Sequence, residues 1–258
     1  MKFQHVARYI AGTLWALDLD KWHELLSAFA YLAAGHEFTA AEIKARIGGG
    51  NGDIVPSQSG AVAVIPIHGV IANRMGGMNE SSGGVSAERI GAWLSQVADD
   101  PKILTILFDI DSPGGTVPGI TELAAQIFAL RGQKRMVAHV NDMAASAAYW
   151  LASQADEIVS IPSGTVGSIG VFAAHEDLSA ALEQEGIKVT LISAGKYKVA
   201  GNPLEPLSDE ERAVIQARVD EAYGQFVKDV ARGRGVTPAA VRGGYGEGRA
   251  LTAKDAKA

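Results

Sequence analysis

The 258-residue sequence predicts an α/β domain with a largely parallel sheet, preceded by a small helical appendage. Three observations carry that expectation. From Ala61 onward, apolar runs of strand length alternate with amphipathic stretches of helical length, the pattern of strand–helix–strand units. The 30 glycines exceed the roughly 18 that average usage gives, and they gather in connecting segments rather than in a low-complexity tract. The balance of 47% hydrophobic and 20% charged residues is ordinary for a globular chain, and the length suffices for a core.

Residues 1–47 read as helical. Trp22, Leu25, Leu26, Phe29 and Leu32 recur at helical spacing, and Thr39 with Glu42 forms a capping box for a helix through Ile47. Residues 48–60 read as a linker, because Gly48, Gly49, Gly50, Asn51, Gly52 and Asp53 favour no regular structure. The domain proper is expected over 61–258. Its first strand is Ala61 to Ile67. Ser86 then caps a helix whose Ile90, Trp93, Leu94 and Val97 share one face, and Ile103 to Ile110 is a buried strand. After Gly114 and Gly115, a helix is marked by Leu123, Ile127 and Leu130. Met136 to Val140 is a strand leading to a helix of small residues over Ala144 to Gln154, and Ile158 to Ser160 and Val189 to Ile192 complete the strands. Ser208 to Arg232 opens Ser-Asp-Glu-Glu and carries Val214, Ile215, Val219, Phe226 and Val230, so a long amphipathic helix is expected.

Composition excludes several classes of function. With 23 basic against 29 acidic side chains the net charge is −6, which does not suit a nucleic-acid protein. The absence of cysteine removes disulfides, thiolate nucleophiles and cysteine-held metals. The apolar stretch Leu25 to Ala34 is far shorter than the roughly 18–20 residues of a membrane span. The amino terminus is broken by His5, Arg8, Asp18, Asp20 and Lys21 before a signal-peptide core develops, so a soluble, non-exported protein is expected.

Two segments carry chemistry. Asp111-Ser112-Pro113-Gly114-Gly115-Thr116 follows a strand, and its glycines let the backbone approach a ligand and aim amide hydrogens at a developing negative charge; an ordinary strand-to-helix turn has the same look. In Asn141 to Trp150, Ser146 stands among small residues at a strand–helix junction. There the free amides of a helix start favour an oxyanion, although tight packing also selects alanine and serine. A serine nucleophile needs a base. His5, His23 and His36 lie in the appendage, His68 and His139 in or beside core strands, and His175 opens a helix-like stretch; none carries a motif, with His139 the nearest in sequence to Ser146. Lysine is the other choice, since a Ser–Lys pair is a variant of the triad and burial favours the neutral amine. The candidates are Lys196 and Lys198, in the loop Ser193 to Pro203, where an exposed lysine is ordinarily only a solvated charge.

Taken together these segments resemble the signal peptide peptidase A family of serine peptidases, which share the fold of the Clp protease and the crotonases. The likeness runs from about Val62 to the end. It rests on the Ser-Pro-Gly-Gly turn, Met143-Ala144-Ala145-Ser146, the run Pro162 to Val171, the loop Gly195-Lys196-Tyr197-Lys198, and the stretches Lys228 to Gly235 and Gly248 to Ala256. The resemblance implies Ser146 as nucleophile and Lys198 as general base, Lys198 standing three residues after Gly195. It implies Ser168 as support for the lysine amine, and Gly115, with Gly114 beside it, and the amide of Ala147 as the oxyanion hole. It implies acyl transfer without metal or cofactor, and a homo-oligomer whose sites lie near subunit interfaces. The family's membrane anchor is missing, as in members from tailed-phage and prophage head modules, so the implied role is cleavage of scaffold, portal or coat proteins in the host cytoplasm or the prohead. Degradation of signal peptides is the alternative within the family; a crotonase-type acyl-CoA enzyme and an inactive scaffold-binding component are alternatives outside it. Family members continue past Thr252 to Ala256 into a final strand, so a domain shortened at its carboxyl end is expected.

Overall fold

The computed structural model describes residues 12–39, 42, 55–74 and 83–257. The described elements run in the order β1 (Trp15–Leu17), α1 (Leu19–Ala33), β2 (Ser57–Ser59), β3 (Val62–His68), β4 (Ile71–Ala72), β5 (Val85–Ser86), α2 (Ala87–Asp99), β6 (Thr105–Ser112) and β7 (Gly114–Thr116). There follow α3 (Ile120–Ala129), β8 (Arg135–Ala145), α4 (Ala147–Ala152), β9 (Glu157–Ser160), β10 (Thr165–Gly167), α5 (Ser179–Gln184), α6 (Asp209–Arg234), α7 (Pro238–Gly244) and β11 (Ala250–Thr252).

The architecture is mixed α/β with two sheets. The larger has the order β11-β10-β8-β6-β3-β2, with β9 also paired to β8, and its centre is parallel. Along β6 the side chains alternate, with Ile106, Phe108 and Ile110 inward and Leu107, Asp109 and Asp111 on the other face, as the twofold period of a strand requires. Ile65, Ile67, Met136, Ala138 and Val140 join the inward row and meet α2, α3, α4 and α6 in one core. β8 serves three neighbours: it pairs with β6 and β9 up to Val140, bends where Asp142 adopts φ 109°, and pairs with β10 over Met143 to Ala145. The smaller sheet has the order β1-β7-β4-β5. Among the described residues no helix is long and apolar enough to cross a membrane.

Most elements fall where the sequence puts them, and local chemistry explains why. Ser86 caps α2 through a bond from Arg89 N–H, and Ser208 with Glu211 closes a full capping box on α6, which ends at Gly235 in the left-handed conformation. Four readings differ. The amino-terminal residues are helical over α1, but Trp15–Leu17 is a strand, because β7 and Phe172 offer it hydrogen-bonding partners on both sides. Ser57–Ser59, within the expected linker, pairs antiparallel with β3. The helix of small residues begins only at Ala147, since Ala144 and Ala145 finish β8. Val189 to Ile192 forms no strand: it lies off both sheets with Ile192 96% exposed. The Thr39–Glu42 cap bonds are present, while most of the helix expected through Ile47 and residues 48–54 of the linker lie outside the described residues.

The outer face of the large sheet carries a polar row. His68 Nε2 lies 3.0 Å from Asp109 Oδ2, and Asp109 is in register with His139 on β8. The bond with Asp109 raises the His68 pKa above 6.5, and the same bond lowers that of Asp109. The histidine's contribution to stability is therefore full below about pH 6.5 and lost as pH rises through the raised value. The carboxylate's contribution is present above about pH 4 and lost as pH falls through the lowered value. The thermal midpoint should fall between pH 6 and 8 for this reason, and Asp109→Asn should flatten that slope in a melting series; an unchanged slope would remove His68 as its cause.

Candidate active site

Ser146 stands at the junction of β8 and α4, with φ 55° and ψ −118°, a conformation non-glycine residues rarely hold. Parallel pairing explains how it is held there. Ala145 is in register with Gly167 of β10, and Ser146 N–H donates to the Gly167 carbonyl at 2.7 Å. On the other side Ser112 of β6 is opposite Ala144. The alanines on both sides of Ser146 are fully buried, so no larger side chain would fit beside this turn. Such a strand–turn–helix bend is the geometry of a nucleophile elbow. Ala147 N–H opens α4 and has no acceptor within the helix, which leaves it free to meet an anion over Ser146.

The glycine pair reaches the same point. Gly114 has φ 97°, and a Cβ there would overlap the Ala16 carbonyl oxygen and stand 2.9 Å from Ser146 Cβ. At Gly115 a Cβ would overlap the backbone of Ile71 in β4. Both positions therefore need glycine for close backbone approach, one toward Ser146 and one toward the neighbouring strand. Ser112 fixes the turn from within, its hydroxyl donating to the Gly69 carbonyl at 2.6 Å and accepting from Gly114 N–H at 3.2 Å. Ser168 directly follows Gly167, has φ 54°, is largely buried, and donates its N–H to the Arg249 carbonyl at 3.0 Å.

The structure thus brings together Gly114, Gly115, Ser146, Ala147 and Ser168. It does not bring Lys198. That residue lies in the turns between Gly195 and Asn202, is exposed, and its amine has no partner among the described residues. Lys196 is engaged: its amine pairs with Glu210 on α6, and that bond raises its pKa. His139 points to the polar face of the sheet beside Asp109. Among the described residues no cluster of three histidine or carboxylate side chains is placed to hold a metal ion.

Sequence reasoning missed two parts of the site. The strand β1 pairs with β7, its Ala16 carbonyl set against Gly114 on the side where Ser146 Cβ stands, and Ser146 is only 1% exposed. The short apolar run Leu14 to Leu17 was its one signal, and that run was absorbed into a helical reading. The other part is the buried Asp229 on α6, whose carboxylate accepts from Trp150 Nε1 at 2.9 Å and from Gln225 Nε2 at 3.1 Å and pairs with Arg232 at 3.1 Å. It ties α6 to α4, the helix that Ser146 precedes, and Trp150 stacks on Phe226 with centroids 4.3 Å apart.

The chain is also similar to known proteins. The model of peptidase family S49 matches residues 129–258. The chain is 40% identical over 182 residues to the head-tail preconnector protein GP5 of Enterobacteria phage P21, covering 70% of this chain and 36% of that one. It is 35% identical over 218 residues to the capsid assembly protease C of Escherichia phage lambda, covering 82% and 50%. It is 30% identical over 200 residues to Protease 4 of Salmonella typhi, covering 77% and 31%. The chain spans between 31% and 50% of the length of these relatives. The matched segment takes in the Ser146 elbow, Ser168, the lysine loop and α6, and with those elements the chain belongs to peptidase family S49.

Proposed function

We propose that this chain is a serine endopeptidase with a Clp protease/crotonase-like fold, in which Ser146 is the nucleophile and Lys198 the general base. The observation that carries the reading is the Ser146 elbow, facing a paired-glycine strand and the first amide of a helix. Ser146 Oγ attacks a peptide carbonyl, Lys198 takes the proton and returns it to the leaving amine, and water releases the acyl-enzyme. Gly115 N–H and Ala147 N–H face the oxyanion, each such donor contributing about 10²–10³-fold. The Ser168 hydroxyl steadies the lysine amine.

The exposed setting of Lys198 argues for assembly. An amine that works as a base must be desolvated, and within one chain Lys198 is open to water. The same arm exposes Ile187, Val189, Leu191 and Ile192, an apolar series that a neighbouring copy would cover. The reading is therefore a homo-oligomer in which the lysine loop closes over a serine at a subunit interface. Two relatives are named a head-tail preconnector protein and a capsid assembly protease, and in line with those names the reading takes its substrate among the scaffold, portal or coat proteins of a prohead, acted on in the host cytoplasm or inside the prohead.

The test is labelling with a fluorophosphonate probe after separation by size, with light scattering on each fraction. Label mapped to Ser146 in an oligomeric fraction, with hydrolysis of an unfolded protein in that fraction, is the expected result. Label on another serine, or full hydrolysis by a monomer, would count against the reading.

A further inference from the structure

The cleft above Ser146 is filled by residues of the chain itself. β1 is paired on both sides. On one it runs antiparallel to β7, with Trp15 opposite Thr116, Ala16 opposite Gly115 and Leu17 opposite Gly114. On the other, Trp15 and Phe172 exchange both main-chain bonds, each 2.9 Å long. Bonds from Val117 N–H to the Leu14 carbonyl and from Asp18 N–H to the Pro113 carbonyl mark the hydrogen-bonded positions of the ladder. Alternation makes Ala16 and Gly115 the next such pair, so Gly115 aims its N–H at the Ala16 carbonyl. That oxygen lies against Gly114 on the side where Ser146 Cβ also stands.

Side chains follow the same division. Ala16 is fully buried toward the main core, where a methyl group is all the space admits. Trp15 and Leu17 point the other way, into a small cluster with Trp22 and Val70, and Trp22 packs between Trp15 and Phe172 at centroid distances of 5.0 and 5.3 Å. An extended segment held by main-chain bonds on both edges, with alternate side chains in separate pockets, is how a sheet edge takes a peptide.

We propose that Trp15–Leu17 occupies the peptide cleft in a substrate's place, and that the Ala16–Leu17 bond is one the site cleaves. The cleft then takes a small side chain at the residue whose carbonyl meets Ser146. The proposal rests on the peptidase reading above for its chemical step. In that step Ser146 Oγ bonds to the Ala16 carbonyl carbon, and its proton passes to Lys198 Nζ and on to the Leu17 nitrogen as the C–N bond breaks. Water then hydrolyses the ester, leaving a carboxylate on Ala16 and restoring the serine hydroxyl.

Because the chain has no cysteine, Ser146→Cys introduces a single thiol whose reaction with an aromatic disulfide reagent reports cleft occupancy without any catalysis. Labelling should be at least ~10-fold slower with Ala16 in place than in an Ala16→Phe background, where the strand is expelled. Should that pair fail to fold, Trp15→Gly, which removes the contact with Trp22, replaces it. Equal labelling in every background would overturn the occupancy. For the cleavage, intact-mass analysis should show loss of residues 1–16 from the wild type, and from neither Ser146→Ala nor Ala16→Phe. A chain that takes the fluorophosphonate at Ser146 and yet stays whole after Ala16 would overturn it. A protected thiol together with no fluorophosphonate labelling of Ser146 even in the Ala16→Phe background, where the cleft is open, would sink the peptidase reading and the cleavage with it, while the occupancy stands.

Discussion

Ser146→Ala and Lys198→Ala should each lower kcat/KM for an unfolded protein substrate by about 10⁴-fold or more, and the double variant should be no worse than either alone, because a nucleophile and its base act as one unit. Lys196→Ala should stay within about threefold of wild type. The difference between two lysines in one loop follows from their partners. The Lys196 amine is held by Glu210 in a surface ion pair that keeps it protonated, which suits a tether and not a base. Lys198 is free of such a pair, and a position from which it can be carried into an interface is what a base on this arm needs. Hydrolysis rates measured at several protein concentrations would show both effects. Loss with Lys196→Ala and none with Lys198→Ala would move the base to Lys196.

Asp229→Ala should destabilise the fold by about 3–5 kcal/mol, the cost of leaving a buried charged network without one partner. The carboxylate is 3% exposed and accepts from Trp150 and Gln225 while pairing with Arg232. The deletion strands the Trp150 indole and Gln225 amide donors, whereas the bond from Arg232 to Gln154 Oε1 and that from Gln154 Nε2 to the Asp229 main-chain carbonyl, both 3.1 Å, remain. Trp150→Phe, which removes the indole donor and part of a fully buried ring but leaves Asp229 its other partners, should cost about 1–3 kcal/mol. Urea unfolding would rank the two, and equal small losses would mean that water enters and satisfies the network.

The parts of the fold legible in the sequence are those decided locally. Ser86, Ser208 and Glu211 announce helix starts by chemistry confined to three or four residues, and β3, β6 and β8 announce themselves by short runs dominated by apolar residues. β1 could not be read in this way. Three residues have no period, and Trp15–Leu17 is extended only because Gly115 and Phe172, both about a hundred residues or more away in sequence, offer their main chains to it. Ser57–Ser59 is wholly polar and owes its strand to β3 in the same manner. Val189 to Ile192 fails in the opposite sense: it has the side chains of a strand but pairs with no strand among the described residues. At the site, Gly114, Gly115 and Ser146 were visible through motif and turn chemistry, whereas the cover over the serine depends on tertiary pairing that no local pattern encodes.

A strand joined to the same chain as the cleft it fills competes at an effective concentration near a millimolar, whatever the amount of protein in solution. Loose peptides at micromolar levels meet a door already occupied, and dilution does not open it. Release is instead a single event on each molecule, set by how often β1 lets go of β7 and Phe172. Such a chain keeps its own time: the moment at which it first accepts a foreign segment is timed by Trp15–Leu17.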